Sequence, residues 1–375
     1  MRGNVMEGVL ATIRDVAKAC GVSAMTVSAV LNNRQGAASS NTRDRVLRVV
    51  EELGYHPNAL ARGLSRRTMQ TVGVVLVSSG KTSIAADRYF GPILDGVFDK
   101  AKQADQRVLI ITEETWEAAY DKLPSYFDGH CDGLLFVLPT ISNEFLVSVQ
   151  RQDVPFVILG ESRPMPTLSV VDLDNIAAGY DATTFLLQNG HRRIALFKGD
   201  AYFASSGLRE EGYKKALTEW GAPVEDGLVY EGRYSADSGY ACMLNLLKSP
   251  AGDLPTAVFC ADDWIAMGAI QALDERGLSV PSDMSIVGVN DNKESSTWSP
   301  GLTTISQPLR SLGQRATEMV LDQIRNGRKP GVKALVRGEI VTRGSVSTLA
   351  APTVTWSKGD RRPRRRLAGS RLPSE

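Results

Sequence analysis

Between Thr12 and Leu31 the chain reads TIRDVAKACGVSAMTVSAVL, and one glycine divides it. Ahead of the glycine, Ile13, Val16 and Ala17 share one helical face, with Thr12 placed to cap the helix. Gly21 ends it, because glycine takes the left-handed conformation after a helix without a Cβ clash. Ser23 suits the cap of a second helix, accepting from the free N–H groups of its first turn. There Val27, Val30 and Leu31 lie on one face, and Met25, Ser28, Ala29 and Asn32 on the opposite one. One face is glued to a small core and the other is offered outward. That is the build of a helix-turn-helix, whose second helix enters the major groove of DNA. An ordinary αα-hairpin at the end of a larger domain shows the same spacing.

The next stretch shifts the balance between them. TRDRVLRVVEEL (42–53) puts Val46, Val49, Val50 and Leu53 on one stripe, with Ser39 or Ser40 as cap and Gly54 as stop. GYHPNALARGLSRR follows, where Pro57 opens a segment too short to be a stable helix alone. With their TIxDVAxxxGVSxxTVSxVLN run, TRxxV helix and YxPNxxAxxL hinge in fixed order, residues 12–65 resemble the DNA-binding headpiece and hinge of the lactose-repressor (LacI/GalR) family.

Charge agrees with a polyanion partner for the head only. Residues 1–70 carry ten Lys/Arg against five Asp/Glu, and residues 351–375 seven against two, around an acidic middle. Cys20, Cys131, Cys242 and Cys260 are far apart without metal-ligand spacing, and read as buried reduced thiols. No apolar run approaches the roughly 20 residues of a membrane helix. The start MRGNVMEGVLA lacks the apolar stretch of a secretion signal, so a cytoplasmic location is expected, with Met6 an alternative start.

From Thr71 the texture changes to short β-branched runs: TVGVVLV, RVLIIT (107–112), DGLLFVL (132–138) and VPFVIL (154–159). Helix-like segments such as Gly91–Gln103 separate them. A second series holds RIALFKG (193–199), LVYEG (228–232), TAVFCA (256–261) and SIVGVN (285–290). Alternation of strand and helix implies parallel sheets with right-handed crossovers. The expected fold class is an all-α helix-turn-helix headpiece plus an α/β two-lobed effector domain. Residues 1–11 are expected to be a disordered start, 12–56 the headpiece, 57–70 the hinge and 71–345 the effector and dimerisation domain. Lobe 1 takes about 71–171 and 303–332, and lobe 2 about 172–302 and 333–345. Asp172–Asn175 reads as the crossing between lobes and Pro300–Thr304 as the return. Residues 346–375, with RRPRRR, read as a disordered basic tail.

The body resembles the family's periplasmic-sugar-binding-like effector domain through DNIAAGYDATTFLLQNGHRRIALFKGD, GLREEGY, FCADDWIAMGAIQALDERGLSVPSDMSIVGVND and PGLTTISQP. The likeness spans roughly residues 11–345, with only the ends outside it.

For DNA, the resemblance implies that Ala24, Met25 and Ala29 face base edges. Ala29 departs from the frequent Arg, so no guanidinium is offered to guanine, and Ala24 and Met25 bring only apolar contact, such as with a thymine methyl. Thr12, Ser23, Ser28, Asn32 and Thr42 match positions that hold phosphates. Thr26, Tyr55, Asn58 and Ala61 complete the DNA-binding set. Leu64 matches the hinge leucine that wedges between base pairs in the minor groove. A cap at Ser23, a solvated hydroxyl at Ser28 and a packed Leu64 are the bland alternatives.

For the effector, the resemblance assigns contacts to Arg209 of GLREEGY, Asp262 of CADDW, Asn290 of GVNDN and Tyr234. Asn290 stands where an Asp is usual. A surface ion pair or strand-end cap is the alternative for each. No catalytic set accompanies His56, His130 or His191, and no P-loop, HExxH or CxxC pair is present, so neither an enzyme nor a cofactor is expected. The expectation is a homodimeric, ligand-controlled repressor with a near-palindromic duplex operator and a sugar-like effector. Co-repressor control, an activator and a solute-binding protein are the rivals.

Overall fold

The computed structural model describes residues 11–349 apart from 33, 35, 37, 57–62, 64–67, 79–82, 140–144, 146–147, 150, 152–153, 164–165 and 329–330. The expected hinge leucine and its neighbours Asn58 and Ala61 therefore lie outside the described residues.

The headpiece forms from local signals. Helix α1 (Ile13–Cys20) opens on a capping box, in which the Thr12 N–H and hydroxyl both donate to Asp15 Oδ2 (2.9 and 2.7 Å). It closes on Gly21 at φ 61°. Helix α2 (Ala24–Leu31) is capped by Ser23, which accepts from the Thr26 N–H at 3.0 Å. Helix α3 (Ser40–Glu52) is capped by Ser39. Val16, Ala17, Cys20, Val27, Val30 and Val46 form the core between them. Leu53 was expected on that stripe but is 42% exposed, because the helix has ended at Glu52.

The chain divides into two compact units. The first runs to Leu159 and includes residues 167–169 and Gly313–Val332; the second takes Gly160–Pro166, Val170–Leu312 and the chain from Lys333. In the first, β1 (Thr71–Val77), helix α4 (Phe90–Gln103), β2 (Arg107–Glu113), helices α5 (Trp116–Asp121) and α6 (Leu123–Tyr126), β3 (Gly133–Val137) and β4 (Phe156–Leu159) follow in order. Their strands pair in parallel as β4-β3-β1-β2, with Val72 opposite both Val108 and Gly133.

The second unit holds β5 (Val170–Leu173), α7 (Asn175–Gln188), β6 (Ile194–Phe197), α8 (Ala204–Glu219), β7 (Val229–Tyr230), α9 (Ala236–Leu246), β8 (Ala257–Cys260), α10 (Asp263–Asp274), β9 (Ser285–Asn290) and β10 (Thr303–Ser306). Helix α11 (Leu309–Asn326), β11 (Lys333–Val336) and β12 (Ile340–Val341) complete the chain. The sheet order is β12-β10-β9-β8-β6-β7, with only β12 antiparallel, while β5 pairs with β11. Side chains alternate across this sheet as the pleat requires. Ile194 and Leu196 enter the core under α7 and α8, and Ala195 and Phe197 the core under α9 and α10. Both faces are covered, which explains the unbroken apolar runs.

Helices pair at glycines. A Cβ on Gly179 of α7 would stand 2.1 Å from the Arg209 carbonyl oxygen of α8, and one on Gly212 equally close to that of Ile176. Gly239 and Gly268 do the same for α9 and α10. From Gly313 onward α11 belongs to the first unit, where its Val320 and Ile324 lie against Gly133.

Three boundaries differ from expectation. Residues 303–306, assigned to lobe 1, are β10 of the second unit's sheet, paired with β9. Asp172 belongs to β5 rather than to a crossing. Residues 346–349 are not part of a disordered tail. The Ser347 N–H donates to Ser285 Oγ (3.0 Å), and the buried His191 donates from Nε2 to the Ser347 carbonyl (3.1 Å) while Nδ1 accepts from Thr256 (2.9 Å). All four cysteines are buried and free, as expected.

Asp263, fully buried in the first turn of α10, staples the strand ends together. It accepts from Thr304 Oγ1 (2.6 Å), Ser295 Oγ (2.7 Å) and the Asn292 N–H (2.9 Å). Burial pushes its carboxyl up to about 7 against those three donors.

Two outcomes are expected. Gly179→Ala should destabilise the second unit by about 1–3 kcal/mol through overpacking, leaving the first unit's melting unmoved; calorimetry of both transitions checks this. For Asp263, an unfolded Asp ionises near ~3.9, so the native state holds its proton more tightly. The stability so contributed is complete below about pH 4 and is lost as pH rises to about 7. Asn cannot titrate, so wild-type stability relative to Asp263→Asn should fall across that window in urea melts. A pH-independent difference would mean that the native carboxyl is ionised throughout.

Candidate functional site

The headpiece and the second unit each assemble one group of the expected residues. On the headpiece, α2 turns Met25 outward at 80% exposure, while Ala24 is half-buried against the headpiece core and so is less available than expected. Ala29 is half-exposed and the α2 side chains that carry polar atoms are tied within the headpiece. Ser23 Oγ meets Thr26 Oγ1 at 2.9 Å, and Asn32 Nδ2 donates back to the Ser28 carbonyl and hydroxyl (2.9 and 3.3 Å). Thr42 lies in the first turn of α3 with its N–H on Ser39 Oγ (3.3 Å). Thr12 likewise serves its own helix cap. Tyr55 packs against the core formed by α1, α2 and α3.

In the second unit, Arg209, Tyr234, Asp262 and Asn290 come together although up to 81 positions separate them in the chain. Arg209 is 4% exposed; its Nε donates to Asn175 Oδ1 (2.9 Å) and its Nη1 to the Ala261 carbonyl. Next to Ala261, Asp262 caps α10 by accepting from the Trp264 N–H (2.6 Å) and receives Nδ2 of Asn290 on its other oxygen. Asn290 ends β9 at φ 121°, and its Oδ1 is buried without a hydrogen-bond partner among the described residues. Tyr234 shares a hydrogen with Ser205 (2.7 Å) and lies over Gly199, where a Cβ would meet its ring at 2.1 Å.

Two further residues join the group. Asp172 accepts from Asn175 Nδ2 (3.1 Å) and from the Leu173 N–H (2.7 Å). Burial pushes the carboxyls of Asp172 and Asp262 up to about 6, partly opposed by hydrogen bonds and by the Arg209 charge that both feel. Burial also raises the Tyr234 phenol. By sequence alone Asp172 and Asn175 stand out only as a crossing between lobes. The signal that marks them is an acid inside an otherwise apolar strand, VVDL, directly before a helix cap. The outcome is one guanidinium among two carboxylates, two amides and a phenol, suited to orienting a polar ligand rather than to bond chemistry. Among the described residues, no group of His, Cys, Asp and Glu has the arrangement to hold a metal ion, and no helix is long and apolar enough to cross a membrane.

Comparison with known proteins covers both parts of the chain. Residues 12–58 match the model of bacterial regulatory proteins of the lacI family, and residues 183–346 that of a periplasmic binding protein-like domain. The HTH-type transcriptional repressor PurR of Haemophilus influenzae is 33% identical over 346 residues, covering 91% of this chain and all of the relative. The lac repressor dimer bound to operator and the anti-inducer ONPF superposes with a TM-score of 0.77 at 29% identity, covering 90% of this chain and 99% of that one. A transcriptional regulator CelR–cellobiose complex gives 0.67 at 30% identity, covering 89% and 99%. The chain belongs to the LacI family and is a ligand-responsive, DNA-binding transcriptional repressor.

Proposed function

We propose that the chain is a cytoplasmic homodimer that represses from a near-palindromic operator under the control of a neutral, sugar-like effector held by Arg209, Tyr234, Asp262 and Asn290. The observation that carries the effector assignment is the buried Oδ1 of Asn290. It is an acceptor with no donor among the described residues, beside an Asp262 carboxylate and an Arg209 fork. A hydroxyl can donate to the first two and accept from the third, as successive hydroxyls of a sugar do. The CelR relative with cellobiose supports the same class. A dimer is supported by β2, the edge strand of its sheet, whose Leu109 and Ile110 are 41% and 39% exposed. Effector binding to one arrangement of the body more tightly than to another changes DNA affinity by linkage.

The proposed DNA contacts place Met25 against a base and Thr12, Ser23, Ser28, Asn32 and Thr42 along phosphates, with Leu64 as the minor-groove wedge. The exposure of Met25 on the first turn of α2 supports its part.

A thermal-shift screen of neutral sugars, sugar phosphates and purines tests the effector class. Ligand at 100 times its dissociation constant should add about 2.7 kcal/mol. Arg209→Ala should abolish that shift and the change in operator affinity while leaving basal operator binding intact. Because Asn175 Oδ1 and the Ala261 carbonyl lose their donor, the second unit should also lose about 1–3 kcal/mol. A wild-type response in the variant removes Arg209 from the site. For Met25, replacing operator thymines by uracil deletes one methyl each, worth about 0.8 kcal/mol or roughly fourfold. One symmetric pair of positions should show this loss with the wild type and none with Met25→Ala. If every thymine can be replaced without effect, Met25 does not read a methyl group.

A further inference from the structure

Immediately before β1 the chain enters the first unit through a polar knot that neither group of functional residues uses. Asp132, in the turn before β3, accepts from the Met69 N–H (2.7 Å), the Thr68 hydroxyl (2.8 Å) and the Thr71 N–H (3.3 Å). Its own N–H donates to the Thr71 carbonyl at 2.8 Å. Around this carboxylate, Thr71 Oγ1 and the Arg107 guanidinium both donate to the Met69 carbonyl (3.0 and 3.3 Å). The Gln70 N–H donates to Thr68 Oγ1 (3.3 Å), and the Gln70 carbonyl accepts from the Arg107 N–H (2.8 Å). Gln70 is bent into the left-handed region at φ 50°. Each residue from Thr68 to Thr71 is thus tied, and three of the ties converge on one ionisable side chain from a distant part of the chain.

A β-strand needs none of this to begin. Residues 68–71 are, however, the only covalent route from the headpiece into the body. Charge-assisted hydrogen bonds of this kind are about twice as strong as neutral ones. Three on one acceptor fix the direction in which the connector leaves.

We propose that Asp132 is a positioning residue for operator binding: by clamping Thr68, Met69 and Thr71 it sets where each connector departs and hence how two headpieces are spaced. This rests on the paired-headpiece reading above. When one headpiece is bound, the second binds at an effective concentration set by linker length and stiffness. Losing the carboxylate frees the Thr68 hydroxyl and the Met69 N–H ahead of the strand, which lengthens and softens that linker. Non-specific binding, which one headpiece makes through phosphates, does not depend on it.

The test uses the full-length protein, an operator selected by the wild type from random duplexes, and versions of it with one or two base pairs inserted at the centre. Asp132→Asn keeps the shape but turns an amide donor toward N–H groups. It should lower the operator-to-random affinity ratio by roughly tenfold and flatten the penalty for inserted base pairs, with the salt slope on random DNA unchanged. A merely structural role would weaken both DNAs alike and leave the spacing penalty in place. Thr68→Val, which removes one donor and leaves the carboxylate, should shift the ratio and the spacing penalty in the same direction by less. It carries the test if Asp132→Asn lowers the body's melting temperature. Wild-type ratio and spacing penalty in a folded variant overturn the proposal. If the wild type selects only single half-sites, the paired-headpiece reading itself falls, and this proposal with it.

Discussion

The polar group around Arg209 depends on a contact that carries no chemistry of its own, the backbone of Arg209 lying on Gly179. Any side chain at residue 179 would occupy the place of the Arg209 carbonyl. The close crossing brings Arg209 within reach of Asn175, one turn before Gly179 on the same helix, and of Ala261 at the end of β8. Asp262 follows Ala261 directly and receives Asn290 from the end of β9. Four elements thus meet through one arginine whose position is set by the absence of a Cβ. A buried guanidinium is tolerable only when its desolvation is offset by well-placed acceptors, and the helix crossing supplies that placement.

The headpiece solves a different problem. Helices of 8, 8 and 13 residues are at or below the length that is stable alone in water. Each is therefore capped, by Thr12, Ser23 and Ser39, at about 1 kcal/mol apiece, and all three share one small core. The same economy of hydrogen bonds ties Thr26 and Asn32 to their own helix. A helix surface tied in this way has little left to donate to base edges, and under the proposed reading discrimination would shift toward apolar contact, DNA deformability and the spacing of paired headpieces.

What could be read from the sequence was whatever is encoded locally. Caps at Thr12 and Ser23, the stop at Gly21 and the β-branched strands were legible because each needs only its neighbours. Arg209, Asp262 and Asn290 were legible through motifs, although nothing local says that they touch. Residues 303–306 were misplaced because a Pro-Gly break ahead of a four-residue strand reads as a connection. β11 and β12 passed unnoticed because edge strands of four and two residues, half-exposed, lack the apolar run. Ser345 and Ser347 look like tail composition. A serine whose carbonyl accepts from a buried histidine, or whose hydroxyl donates to a strand carbonyl, differs from a solvated one only through tertiary structure. Asp132 was invisible for the same reason, since its three donors lie more than 60 residues away.

Charge, more than shape, then narrows what the second unit can hold. Asp172 and Asp262 face one Arg209, and burial pushes both carboxyls up to about 6, against the hydrogen bonds and the single guanidinium that favour their charged forms. Under the proposed reading, an added phosphate or carboxylate would bring a further like charge to these two poorly solvated acids, which costs several kcal/mol. The proposed neutral polyhydroxyl ligand would instead donate to the carboxylates and to Asn290 Oδ1 while accepting from the guanidinium. An Asp at residue 290 would have added a third negative group and removed the amide that holds Asp262. With Asn there, the amide donates to Asp262 and adds no charge to the two acids that share Arg209.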